Sequence, residues 1–119
     1  MPFIEEREKA FEAKFAHDEA HRFLVRARRD KLLAAWAAGR LGLSDSQREA
    51  LVVAILKLRD GPDHDRLLLD LIGVTLRDGG QAVSSAELAT AAAACLDDAE
   101  RQLSATPHFL PNNLEPGLI

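Results

Sequence analysis

Two histidines, His17 and His21, stand four residues apart in a charged stretch whose pattern predicts a helix. Residues at i and i+4 lie on one face of a helix, so the two imidazoles could share a metal ion. The zinc-protease pattern His-Glu-x-x-His also needs a glutamate after the first histidine as general base, and here that residue is Asp18. Because the sequence signals no third ligand, we predict a solvated helix face and no metal site.

Basic residues follow the histidines with helical spacing. The stripe has members at i, i+4 and i+7 and two further bases that widen it: Arg22, Arg26, Arg29, Arg28 and Lys31. One interpretation is a surface that contacts the phosphate of a nucleotide or a nucleic acid. The other is a solvated face with local ion pairs, such as Asp18 with Arg22 and Asp30 with Arg26. Nucleic-acid binders are usually basic, and this chain has a formal net charge of −4, so we favour the solvated face.

Two aromatic residues, Phe11 and Phe15, also lie one above the other at helical spacing, and Ile4 precedes Phe11 by seven positions. Such a stripe usually belongs to a hydrophobic core. Here its flanks are densely charged, and burial inside a small domain would remove several ions from water. The residues alone therefore leave two interpretations open, a core stripe and a stripe that faces a partner.

No residue pattern indicates catalysis. The single cysteine, Cys95, lies close to Asp97 and Asp98, whose charges disfavour a thiolate. The pair Gly79-Gly80 lacks the lysine and hydroxyl residue that follow the glycines of a phosphate-binding loop. We therefore predict that the chain is not an enzyme and has no catalytic residues, no metal and no tightly held cofactor.

The chain also lacks targeting signals. Its N-terminus carries acids where a signal peptide needs bases, so we do not expect secretion. No apolar run is long enough to insert into a membrane. A lone cysteine suits a reducing compartment such as the cytoplasm.

The hydrophobic pattern predicts an all-α fold, a four-helix bundle in which a mobile N-terminal segment extends the first helix. The first helix covers residues 5–40 and stops at Gly39 and Gly42. Leu24 and Leu33 belong to the apolar face of its second half. Before about His17 the apolar residues are too few to hold the segment against a core, so we expect it to fray or to be disordered in the free chain.

Start signals predict three further helices. Capping boxes at Ser44–Gln47 and Ser84–Glu87 begin the second and fourth helices, and Asp63 caps the third. Leu56 is predicted to face inward from the second helix. Residues 73–75, Gly-Val-Thr, leave a short buried strand as an alternative to the middle of the third helix. The fourth helix runs to about residue 104, and the proline-containing residues 105–119 are predicted to be extended.

Three runs carry a resemblance to a known family: residues 12–18 (EAKFAHD), 27–33 (ARRDKLL) and 36–38 (WAA). They resemble the zeta subunits, which are ATPase-inhibitor proteins of the alphaproteobacterial F1Fo-ATP synthase. The resemblance is specific over residues 5–38 and weakens afterwards to helix lengths and order. It implies a four-helix bundle, residues 20–104, preceded by a mobile inhibitory segment, residues 1–19. Residues 105–119 have no counterpart.

The resemblance also implies partners. In the family the N-terminal segment inserts between the alpha and beta subunits of F1, near gamma, becomes helical there and blocks the rotation that accompanies ATP hydrolysis. Carried onto this chain, the partner-binding residues are Ile4, Glu8, Lys9, Phe11, Glu12, Lys14, Phe15, His17 and Asp18. The resemblance further implies that the chain is cytoplasmic, is monomeric when free and has no nucleic-acid partner. When bound to F1, it would be held at the cytoplasmic face of the inner membrane.

Weak binding of ADP or ATP is also associated with the family, and the resemblance assigns no residues to it. The basic stripe supplies Arg22, Arg26 and Arg29 as the candidate contacts for phosphate. An alternative function uses the same basic stripe. In that alternative the chain is a small helical regulatory protein that binds nucleic acid or nucleotide through residues 22–31.

Overall fold

A computed structural model of the chain describes residues 2–105, including their side chains except those of residues 2–6, 11, 15 and 105. The described residues form four helices and no strand: α1 at Pro2–Leu41, α2 at Asp45–Leu56, α3 at His64–Asp78 and α4 at Ser85–Ala105. The all-α prediction is confirmed. The strand alternative at residues 73–75 is wrong, because α3 is helical throughout. The segment that was predicted to be extended lies outside the described residues from residue 106 onward.

The first helix is the long element of the fold. It has 40 residues, which corresponds to a length of about 60 Å, and it accounts for the 64 Å extent of the molecule along its longest axis. It ends in a Schellman motif, in which the N–H of Leu43 donates to the carbonyl of Ala38 at 3.0 Å. Gly42 makes this turn possible because its φ of 65° strains any residue with a side chain.

The starts of the shorter helices follow the predicted signals in part. At α2 the Ser44 hydroxyl accepts from the N–H of Gln47 at 3.2 Å, and the Gln47 side chain accepts from the N–H of Ser44 at 2.9 Å. At α4 the Ser84 hydroxyl accepts from the N–H of Glu87 at 3.0 Å, while the Glu87 carboxylate binds Arg40 of α1. The prediction for Asp63 is wrong in detail. It stands at the N-cap of α3, but its carboxylate accepts from Arg59 at 3.2 Å instead of capping.

The core lies around the second half of α1, which packs on all three other helices and most extensively on α4. The largest fully buried side chains are Leu33 of α1 and Leu68, Ile72 and Leu76 of α3. We call the part of the chain that contributes buried residues, Val25 to Ala99, the core region. The arrangement of the four helices as a bundle stays a prediction.

Two leucines that were predicted to face inward do not. Leu24 is 44% exposed and its place in the core is taken by Val25, one position later on α1. Leu56 is 70% exposed, because it is the last residue of α2 and the chain turns away after it. The periodic spacing of apolar residues therefore extends beyond the part of each helix that its neighbours cover.

Candidate functional site

The first half of α1 extends beyond the core region. Every described side chain from Arg7 to Ala20 is exposed except that of Asp18, which is half-buried. Among the residues whose side chains the structure describes, the first buried one is Val25, and the backbone of α1 continues from it toward the N-terminus for more than twenty residues, about 35 Å. We call residues 2–20 the extension. A helix without a core of its own presents its side chains to solvent or to a partner.

The described side chains of the extension make local ion pairs that differ from the predicted ones. Lys14 donates to Asp18 at 3.3 Å, and Arg22 donates to Glu19 at 2.6 Å. The predicted pairs of Asp18 with Arg22 and of Asp30 with Arg26 are therefore wrong. These observed pairs are exposed, so each adds at most about 1 kcal/mol to stability and is readily exchanged for a partner's charge.

Other predicted partner-binding residues lie on the same helix. Glu8, Lys9, Glu12 and His17 are exposed on the extension. The side chains of Ile4, Phe11 and Phe15 lie outside the described residues, so their role as a partner-facing stripe stays a prediction.

The predicted phosphate-contact arginines come together at one small cavity of about 220 Å³, between α1 and α4. They do not form an exposed stripe. Arg22 is bound to Glu19, and the guanidinium of Arg29 is buried with two carboxylates. Among the residues that the structure describes, only Arg26 of the three has no ion pair. The cavity is also lined by the acids Asp65 and Glu100, whose charges oppose an anionic ligand.

A buried ion network joins α1 to the start of α3. Arg29 donates from Nε to Asp30 and from a terminal nitrogen to Asp65, both at 2.7 Å. His64 completes the network through Nε2, which lies 2.7 Å from the second carboxylate oxygen of Asp30. Arg29 and Asp30 are 5% and 8% exposed, so this pair lies inside the packed helices, whereas the Asp65 carboxylate is largely exposed. Burial lowers the pKa of Arg29, but its bonds to Asp65 and Asp30 and their charges raise it overall.

Both ring nitrogens of His64 face an acceptor. Nδ1 lies 3.2 Å from the backbone carbonyl of Arg59, and Nε2 faces the Asp30 carboxylate. Both partners are acceptors, so only a ring that is protonated on both nitrogens can donate to both of them at once. Burial lowers the pKa of His64, but the bond to Asp30, the bond to the Arg59 carbonyl and the charge of Asp30 raise it overall, against the opposing charge of Arg29. With the ring protonated on both nitrogens, the network holds two positive and two negative charges.

Sequence reasoning missed His64, Asp65 and the burial of Arg29. Asp65 is 36 positions from Arg29, and no local spacing rule connects them. The one available signal was the run of four polar residues directly after Pro62, at the predicted start of a helix whose following residues are apolar.

The described residues contain no group of three or more histidine, cysteine or acidic side chains arranged to hold a metal ion. Cys95 is buried, and burial together with the charge of Asp98 raises the pKa of its thiol, although Arg29 acts in the opposite direction. A thiol in this state is a poor nucleophile. None of the described helices is long and apolar enough to cross a lipid bilayer.

The model of the family ATPase inhibitor subunit zeta matches residues 1–102 of the chain. No match was found among curated proteins or solved structures. Because the family match spans both the extension and the core region, the chain belongs to the ATPase inhibitor subunit zeta family.

Proposed function

We propose that the chain inhibits ATP hydrolysis by the F1Fo-ATP synthase by inserting its extension between an alpha and a beta subunit of F1, near gamma. The observation that carries this proposal is the absence of any buried side chain among the described residues of the extension. A helix of this length without a core contact can enter a cleft without unfolding the rest of the protein. The core region is wider than one helix and stops at the mouth of the cleft.

The chemistry of the extension supports this role. Glu8, Lys9, Glu12 and Lys14 alternate in charge along an exposed helix, so they can pair with charges on the cleft walls and fix the register. Phe11 and Phe15 supply the apolar contacts, each contributing about 1.5–3 kcal/mol when buried. If the extension is disordered in the free chain, ordering it costs about 2–5 kcal/mol, which the contacts must exceed.

The proposal also places the chain in the cell. It acts in the cytoplasm, at the cytoplasmic face of the inner membrane when bound to F1, and as a monomer when free. It needs no catalytic residue of its own, because an inhibitor that blocks rotation acts by occupying space.

The experiment that tests this function follows ATP hydrolysis by purified F1 as the chain is added. We expect the full chain to inhibit and a chain lacking residues 1–18 to fail at every concentration. The shorter chain should keep the helical circular dichroism and the melting temperature of the core region, because none of the described residues that it lacks is buried. Hydrolysis that the full chain leaves unchanged, or that the shorter chain inhibits equally well, would contradict the proposal.

A further inference from the structure

A groove runs along α1 on the side where α2 and the α2–α3 connection approach it. Its volume is about 520 Å³. The floor is apolar and includes Ala27, Val52, Ile55 and Leu58. Its walls carry Phe23 of α1 and Leu56 of α2, which are 52% and 70% exposed and are therefore the two most exposed large hydrophobic side chains of the described residues. Large apolar side chains that stand at the mouth of a cleft mark a contact surface.

The charges at the mouth of this groove are unequal. Arg26 and Lys31 lie on the α1 side, both exposed, and neither makes an ion pair with any residue that the structure describes. On the opposite side Asp60 is also exposed. The buried Asp30 and the largely exposed Asp65 are both paired with Arg29, and Asp30 is also paired with His64. The groove therefore offers an apolar floor and two unsatisfied positive charges along one edge.

This surface begins where the extension ends. Phe23 follows Ala20 by three residues on the same helix, a distance of about 5 Å along the axis. When the extension is inserted as proposed above, the Phe23 end of the groove lies next to the mouth of the cleft. Its position makes it continuous with the proposed interface.

We propose that the groove is a second docking surface, and that it binds a surface segment of the ATPase with aliphatic side chains flanked by carboxylates. The aliphatic side chains would cover Phe23 and Leu56, and the carboxylates would pair with Arg26 and Lys31. A small ligand inside the groove would leave the two exposed walls uncovered, so a polypeptide fits the surface better. The inference rests on the proposed function, because its partner is the enzyme that the extension enters.

The experiment measures how fast the full chain dissociates from immobilised purified F1. We expect Leu56→Lys and Phe23→Ser each to speed dissociation at least tenfold, while the controls Val74→Lys and Leu24→Ser leave it within twofold. The controls are matched because Val74 and Leu24 are 42% and 44% exposed but lie outside the groove. Melting temperatures identify any variant that is not folded. Leu56 is more exposed than Phe23, so Leu56→Lys is the less likely of the two to unfold the protein.

The charged edge is tested in the same way. Lys31→Glu should speed dissociation, more at low than at high salt, whereas Arg77→Glu, an exposed control outside the groove, should not. Equal dissociation of wild type and groove variants would overturn this inference and leave the inhibitory function intact. Failure of the wild-type chain to bind F1 would overturn both. A dimer of the free chain that Leu56→Lys abolishes would assign the groove to a second copy and would also overturn the inference.

Discussion

Replacing Phe11 and Phe15 together by alanine should raise the concentration of the chain needed for half-inhibition of F1 by at least about 100-fold. The estimate follows from burial, because two phenylalanine rings removed from water contribute about 1.5–3 kcal/mol each and every 1.4 kcal/mol is a factor of ten in affinity. Without the two rings, only the charged side chains would hold the helix in its register in the cleft. The measurement is a titration of ATP hydrolysis by purified F1 with the wild-type and double-variant chains.

A control must show that this loss belongs to the interface and not to the fold. The described neighbours of the two rings, including Glu12 and Lys14, are exposed, so the double variant should melt at the wild-type temperature. The exchange of Ala13 for serine, at an exposed position between the rings, should leave inhibition nearly unchanged. A double variant that unfolds would mean that the rings belong to a core and that the partner-facing stripe is wrong.

The second large effect concerns the stability of the core region. Asp30→Ala should lower the free energy of unfolding by about 3–5 kcal/mol, because it leaves the buried cation of Arg29 and the half-buried ring of His64 without their shared carboxylate. The matched control is Asp65→Ala, which removes a carboxylate at the same 2.7 Å from Arg29. Asp65 is largely exposed, and its loss should cost less than about 1 kcal/mol. Urea unfolding monitored by circular dichroism measures both values.

The stability difference between wild type and Asp30→Ala should depend on pH, with a definite sign. The folded-state pKa of His64 is raised above its value of 6.5 in the unfolded chain, so its stabilising contribution is complete below pH 6.5. That contribution is lost as the pH rises through the raised pKa, because a neutral imidazole can donate to only one of its two acceptors. The stability difference between wild type and Asp30→Ala should therefore be larger at pH 6 than at pH 9. An equal or larger difference at pH 9 would exclude a charged His64 in the network.

Local chemistry explains which features could be predicted from the sequence. The start of α2 was predictable because both halves of the Ser44–Gln47 capping box lie within four residues. The end of α1 was predictable because Gly42 adopts a φ that other residues avoid. The absence of a side-chain cap at Asp63 could not be predicted, because the Asp63 carboxylate accepts instead from Arg59, four residues earlier in the chain.

Features that depend on distant contacts could not be predicted. Periodicity assigned Arg29 to a solvated or phosphate-binding stripe, whereas Asp65 and Asp30 hold it in the core. Periodicity also placed Leu56 in the core, and only the end of α2 and the course of the following connection expose it. The lack of a core around the extension could be predicted for a simpler reason. A helix with too few apolar residues for a core is visible in the sequence itself.

The most direct test of the central claim, that the extension enters the catalytic interface, is crosslinking from single positions. A photoreactive group placed at Ala13 of the extension should join the chain to both alpha and beta subunits of F1 under inhibiting conditions. The same group at Ala89, an exposed alanine of α4, should yield few or no such products. Full inhibition with no alpha or beta product from Ala13, or with products from Ala89 alone, would contradict the claim.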